Sequence, residues 1–304
     1  MTKMFLEGRS MGIFYRYIIL AVLTFVCGVN YAYAEAEFPD EEGCEKRIKY
    51  FQKMCKPSES KNESTLVLFD TTDELRPEQI QFVLDNYVSE DVELGNEGDV
   101  LTIAKLDSKP VQMMDKTSIC APKPIEDCNW LVESCKELEK LNREFSVAAQ
   151  CAVKKHTKEM KKAKKSFLIE AIAEVFRNKA YKLKNATKRK LILISDLYQN
   201  SKLLSFPEIC RTKTTGQVTC PSLTQTMKRH PRLPGYLRKI CGEKRGSGEK
   251  RGSLVFLPED SMEIYYLVQG GRIDGSAEPW WTRFLIGYCG LEMDNLKIVP
   301  ELQK

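Results

Sequence analysis

Thr65-Leu66-Val67-Leu68-Phe69-Asp70 and Leu191-Ile192-Leu193-Ile194-Ser195-Asp196 are two apolar runs, each ending in an aspartate, and their reading decides the fold. A strand wet on one face alternates apolar with polar residues. A run without that alternation is a strand covered on both faces, the mark of a parallel sheet between helix layers. Working outward, Pro77 suits a first helical turn, and Ile80, Val83, Leu84 and Tyr87 line one face of the helix it opens. Val100-Leu101-Thr102-Ile103-Ala104 reads as a second strand and Val111-Gln112-Met113-Met114 as a shorter one. Residues Cys128 to Ala163 carry apolar positions at helical spacing. A further helix is predicted from Ser166 as N-cap, burying Leu168, Ile169, Ile172, Val175 and Phe176. Met262 to Val268 is predicted as a strand, followed by a helix opening near Ser276 with Trp281, Leu285 and Tyr288 on one face, then a last strand at Leu296–Val299. Strands alternating with helices predict an α/β fold: a doubly wound, mainly parallel sheet flanked by helices, spanning 65–304.

The first 34 residues have a different composition. Lys3, Arg9 and Arg16 precede an apolar run from Tyr17 to Val29 that closes on Ala32-Tyr33-Ala34, the pattern of a cleavable signal peptide. The run is shorter than the ~20 residues that span a bilayer, so no membrane anchor is expected after cleavage. Met11 is an alternative start that shortens the leader and leaves the mature chain unchanged. Cys44, Cys55, Cys120, Cys128, Cys135, Cys151, Cys210, Cys220, Cys241 and Cys289 lie behind the leader, an even number. An even count in an exported chain predicts disulfides, whereas zinc would want short Cys and His spacings that are absent here. The expected location is therefore periplasmic or secreted. Connectivity is open, with one restriction. Ile48, Phe51 and Met54 mark a helix over Glu41–Lys56, which would hold Cys44 and Cys55 about 16 Å apart and keep them from bonding each other.

Residues 35–64 read as an N-terminal helical extension and linker, the latter in the polar stretch Pro57 to Ser64. From about 201 to 253 the pattern dissolves into an irregular basic insertion. Within it Gly242-Glu243-Lys244-Arg245-Gly246-Ser247 recurs as Gly248-Glu249-Lys250-Arg251-Gly252-Ser253, predicting a flexible surface loop. The formal net charge of +5 is far from that of a dedicated nucleic-acid binder, and no nucleic-acid partner is expected. Lys154 to Lys165 form a basic run, continued by Arg177, Lys179, Lys182, Lys184, Lys188, Arg189 and Lys190; it reads as a solvated helix face or as a docking surface for an anionic partner. Trp280-Trp281 beside Pro279 fits sugar binding or, at helical spacing with Leu285 and Tyr288, core packing. Asn62-Glu63-Ser64 and Asn185-Ala186-Thr187 match the glycosylation sequon. No Gly-x-Ser-x-Gly, no His beside a candidate nucleophile and no phosphate-cradling glycine loop is present, so no catalytic constellation is predicted.

Asp70-Thr71-Thr72-Asp73-Glu74 after the first strand, and Ile194-Ser195-Asp196-Leu197 at the end of the later one, resemble the von Willebrand factor A-like fold, a Rossmann-like three-layer sandwich. In that family an Asp-x-Ser-x-Ser motif, a Thr from a middle loop and a second Asp together hold one divalent cation. The resemblance implies Asp70, Thr72, Ser166 and Asp196 as metal ligands, with Mg²⁺ or another divalent cation as the cofactor and a protein ligand as the partner. Glu74 stands where a hydroxyl is expected and would bind directly, repel an acidic ligand or cap the following helix. The oxygen set suits a hard cation independently of the family, and ligands of parallel sheets bind at the carboxyl ends of the strands. The bland alternative is a metal-free relative whose aspartates cap helices and satisfy loop amides.

The expected function is an exported protein-binding module of the adhesion or assembly type, using a bound cation. Two alternatives belong to other classes: a metal-dependent hydrolase using Asp70, Asp196 and Glu74 around a cation-bound water, and a metal-independent envelope scaffold docking through its basic helices.

Overall fold

In the computed structural model, residues 38–55, 63–70, 75–88, 96–106, 116–158, 165–177, 186–202, 204–212, 214, 218–241, 243–244, 250–251, 256, 258–267 and 277–300 are described. Residues 43–304 form one compact unit, and of the unit spanning 1–42 only 38–42 are described. The leader, Thr72, Glu74, the predicted strand at Val111–Met114, Lys161 to Lys164, Lys179 to Lys184, Asn62, Asn185 and Ser276 lie outside the described residues.

Six strands build the main sheet: β1 (Glu63–Asp70), β2 (Val100–Leu106), β3 (Lys116–Cys120), β4 (Lys188–Ser195), β9 (Ser261–Tyr266) and β10 (Leu296–Pro300). Two short hairpins intervene, β5 (Arg211–Thr212) with β6 (Val218–Thr219) and β7 (Glu243–Lys244) with β8 (Lys250–Arg251). The second hairpin pairs two residues from each copy of the Gly-Glu-Lys-Arg-Gly-Ser repeat, Glu243 with Arg251 and Lys244 with Lys250; the rest of the predicted surface loop lies outside the described residues. Across the main sheet the order is β3-β2-β1-β4-β9-β10. Every neighbouring pair is parallel except β3, which runs antiparallel to β2. Counted within this sheet the order is 3-2-1-4-5-6, that of a doubly wound fold, and the reversal of winding falls between β1 and β4.

Both faces of the sheet are covered, as the uninterrupted apolar strands require. Val67 and Phe69 of β1 with Ile192 and Ile194 of β4 pack beneath α1 (Glu41–Met54), α2 (Pro77–Tyr87) and α3 (Cys135–Lys158). Leu66, Leu68, Leu191 and Leu193 face the other way, toward α4 (Leu168–Arg177), α5 (Phe206–Ile209), α6 (Leu223–Arg229), α7 (Leu233–Cys241), α8 (Ala277–Thr282) and a π-helical turn at Arg283–Cys289. Trp280 and Trp281 are both buried in this second layer, packed edge-to-face with each other and with Phe206 and Phe284. Core packing, and not sugar binding, is therefore their role. Among the described residues no helix is long and apolar enough to cross a membrane.

All ten cysteines pair. Cys44–Cys151 ties α1 to α3 and Cys55–Cys120 ties the end of α1 to β3, so the two cysteines of α1 each reach another element. Cys128–Cys135 and Cys210–Cys220 close short loops, and Cys241–Cys289 joins α7 to the π-helical turn. Five disulfides fit a chain that folds in an oxidising environment. Arg189, counted from sequence in a solvated basic run, is instead buried. Its Nε donates to Asp260 Oδ1 at 2.6 Å, a second guanidinium nitrogen donates to Asp260 Oδ2, and Nη1 donates to the Phe176 carbonyl at 2.9 Å. Its parity in β4, shared with Leu191 and Leu193, points it into the α4 layer, where a charge needs a partner.

Candidate functional site at the carboxyl rim of the sheet

Open α/β sheets bind ligands outside the carboxyl ends of their strands, at the point where the winding reverses. Here that point lies between Asp70, the last residue of β1, and Ser195, the last residue of β4. Asp70 shares parity with Leu66 and Leu68, and Ser195 with Leu191 and Leu193, so both side chains lean into the α4 layer. The segment leading into α4 brings Ser166 to the same place. Ser166 Oγ donates to Asp70 Oδ2 at 3.0 Å and Ser195 Oγ donates to the same oxygen at 2.9 Å. All three residues are buried. A buried carboxylate needs such donors, because isolation from water would otherwise make its charge costly.

Sequence pattern placed Ser166 as the N-cap of α4, and this is corrected. Its hydroxyl goes to Asp70. The orphan amide of Ile169 is satisfied from across the loop by Gln199 Oε1 at 3.0 Å, and Gln199 Nε2 donates to Glu170 Oε2 at 3.0 Å. The Ser166 carbonyl in turn accepts from Asn200 N at 2.7 Å, which fixes the α4 entrance to the loop after β4. Tyr236 of α7 completes the group. Burial first, then the neighbouring Glu170 charge and a hydrogen bond to it, push the phenol well above its ordinary range and keep it neutral.

Ser195 was not among the predicted ligands, yet it is the residue of β4 that meets Asp70. The signal was in the alternation: residues 191, 193 and 195 share one face, and Asp196 lies beyond the strand end. Asp196 Oδ1 accepts from Tyr198 N at 2.9 Å, an Asx turn that shapes the loop. Ser195 Oγ accepts from Leu197 N at 2.9 Å while donating to Asp70. Leu197 takes a left-handed φ of 61°, and its carbonyl accepts from Trp281 Nε1 at 2.9 Å. A left-handed backbone at a non-glycine residue costs about 1 kcal/mol or more, and the hydrogen bond from the buried tryptophan holds it there.

Of the predicted ligands, the described structure thus joins Asp70 and Ser166 in one contact and turns Asp196 toward its own loop. Thr72 and Glu74 lie outside the described residues. The Asp70 carboxylate and the Ser166 hydroxyl fit a hard cation, since both are oxygen donors and a hydroxyl that gives its proton to a carboxylate keeps its lone pairs. Among the described residues no group of three or more His, Cys, Asp or Glu side chains could hold a metal ion.

No family model matches the chain, and no curated protein matches it. Among solved structures it is similar to the human COPII-coat protein Sec24c, at 9% identity and a TM-score of 0.29, over 83% of this chain. The match covers 31% of the Sec24c chain, so the present chain spans under a third of its length.

Proposed function

We propose that this chain is an exported binding module that recognises a protein partner at the carboxyl rim of its sheet. In this reading Asp70 and Ser166, with Thr72 and Asp196, hold a divalent cation such as Mg²⁺. The observation that carries it is the Ser166 Oγ to Asp70 Oδ2 hydrogen bond, which joins residues 96 apart at the point where the winding reverses. A bound cation would supply a positive centre with open positions for a partner's carboxylate. The chain's own residues do the rest. Ser195 and the Leu197 amide orient the Asp70 carboxylate, and Asn200 anchors the segment that presents Ser166. The test is thermal unfolding of the full chain with millimolar Mg²⁺, Mn²⁺ or Ca²⁺. Metal at a hundred times its dissociation constant adds about 2.7 kcal/mol and raises the midpoint, and Asp70→Ala abolishes the rise. Absence of any metal-dependent shift overturns the cation.

A second reading is favoured by Ser195. Two hydroxyls on one oxygen of Asp70 already satisfy it, and the aspartate then ties β1, β4 and α4 together with no metal. This reading expects no metal response, and it expects Ser195→Ala and Ser166→Ala each to destabilise by about 1–3 kcal/mol.

A further inference from the structure

Trp130, Leu131 and Val132 are 77%, 70% and 77% exposed, side by side at the tip of a turn. The fold does not require them there. The turn is built by its other residues: the Cys128–Cys135 disulfide closes its base, and Leu131 N donates to Asn129 Oδ1 at 3.1 Å. The amides of Val132 and Glu133 donate to the Asn129 carbonyl at 3.0 and 2.9 Å. Glu133 returns to Asn129 N at 3.2 Å and accepts from Lys123 Nζ at 2.8 Å. The backbone is held at both ends while three large apolar side chains stand in water, at a cost that docking would recover. Preorganisation of this kind lowers the entropy lost on binding.

The finger also leaves from a defined place. β3 runs against β2, so Cys120 lies opposite Val100, and Ala121 and Asp99 bond each other at the amino ends of the parallel strands. The finger follows from there, on the rim opposite Asp70. Glu126 and Asp127 are exposed at the foot of the finger, whereas Glu133 is paired with the Lys123 ammonium and Lys136 follows Cys135.

We propose that residues 128–135 form a docking finger that inserts Trp130, Leu131 and Val132 into an apolar groove bordered by basic residues on a partner protein. The exposed Glu126 and Asp127 at its foot favour that occupant over an anionic bilayer. A buried Trp at the centre of a contact is the usual energetic anchor of an interface. The proposal is independent of the cation reading.

The test uses the full chain and a fluorescein-labelled synthetic amphipathic helix with a leucine stripe flanked by lysines. Binding is followed by anisotropy. Intrinsic fluorescence gives a second readout, because Trp280 and Trp281 are buried and Trp130 is the exposed tryptophan. Expected are a blue shift and acrylamide protection of Trp130 on binding, and a loss of affinity of about tenfold or more in Trp130→Ala at unchanged melting temperature. Glu126→Gln with Asp127→Asn should weaken binding and flatten its salt dependence. The proposal is overturned by any of three results: affinity indifferent to Trp130→Ala, equal binding of a helix with glutamates flanking the same stripe, or a Trp130 blue shift with phosphatidylcholine or phosphatidylglycerol vesicles in place of the peptide.

Discussion

The two faces of the sheet are covered in different ways. On one, α1, α2 and α3 are regular helices with amphipathic patterns, and Cys44–Cys151 and Cys55–Cys120 tie α1 covalently to α3 and to β3. On the other, α4 is joined by short helices and irregular segments whose two disulfides connect those segments to one another and never to the sheet. That face is fastened to the sheet by buried polar contacts instead: Arg189 with Asp260 and the Phe176 carbonyl, Gln199 with Ile169 and Glu170, and Trp281 with the Leu197 carbonyl. A long helix satisfies its own backbone and needs only a seam to the sheet. A chain of short turns leaves many orphan amides and carbonyls, and side chains must reach in from elsewhere to satisfy them.

The contrast breaks most sharply at the buried ion pair. Asp260→Ala strands the Arg189 guanidinium among apolar neighbours and should destabilise by about 3–5 kcal/mol in urea unfolding, whereas Arg189→Met with Asp260→Leu should recover much of the loss. A double variant no better than Asp260→Ala would mean that the packing of this face, and not the unpaired charge, sets the cost. The covalent side comes next. Replacing Cys44 and Cys151 by Ser opens a link across 107 residues and should cost about 2–4 kcal/mol, with α1 losing hydrogen-exchange protection before the α4 layer does. Simultaneous loss on both faces would show that the two layers unfold as one. The smallest effect belongs to Gln199→Ala, which frees the Ile169 amide and removes a donor from Glu170, at about 1–3 kcal/mol. Exchange protection at Ile169 should fall there while α2 and α3 remain protected.

The same contrast governs what the sequence discloses. β1, β2 and β4, and the helices α1, α2 and α4, follow from apolar runs and helical spacing because burial on both faces is written locally into the residues. β3 does not. Lys116-Thr117-Ser118-Ile119-Cys120 is a short edge strand paired on one side with β2, and its polar composition carries no buried-strand pattern. The third helix begins at Cys135 rather than Cys128, because Asn129 turns the chain within a disulfide ring that only the pairing reveals. At the carboxyl rim, Asp70 and Ser166 were legible as oxygen ligands by type. Their partner Ser195 was hidden by the conspicuous Asp196 beside it, and Gln199 by its distance in sequence from the helix end that it caps.

The pairing of α1 has one more consequence, concerning time. Cys44 and Cys55 are the first two of the ten to leave a ribosome, and their native partners, Cys151 and Cys120, follow 107 and 65 residues later. Before α1 has formed, nothing in eleven residues of flexible chain keeps the two thiols apart. Where oxidation starts during synthesis, the only ring these two thiols have within reach is one that the finished protein does not contain. Arrival at the native set then depends on thiolate attack reopening that ring, which ties the yield of folded molecules to the thiol-exchange capacity of the compartment.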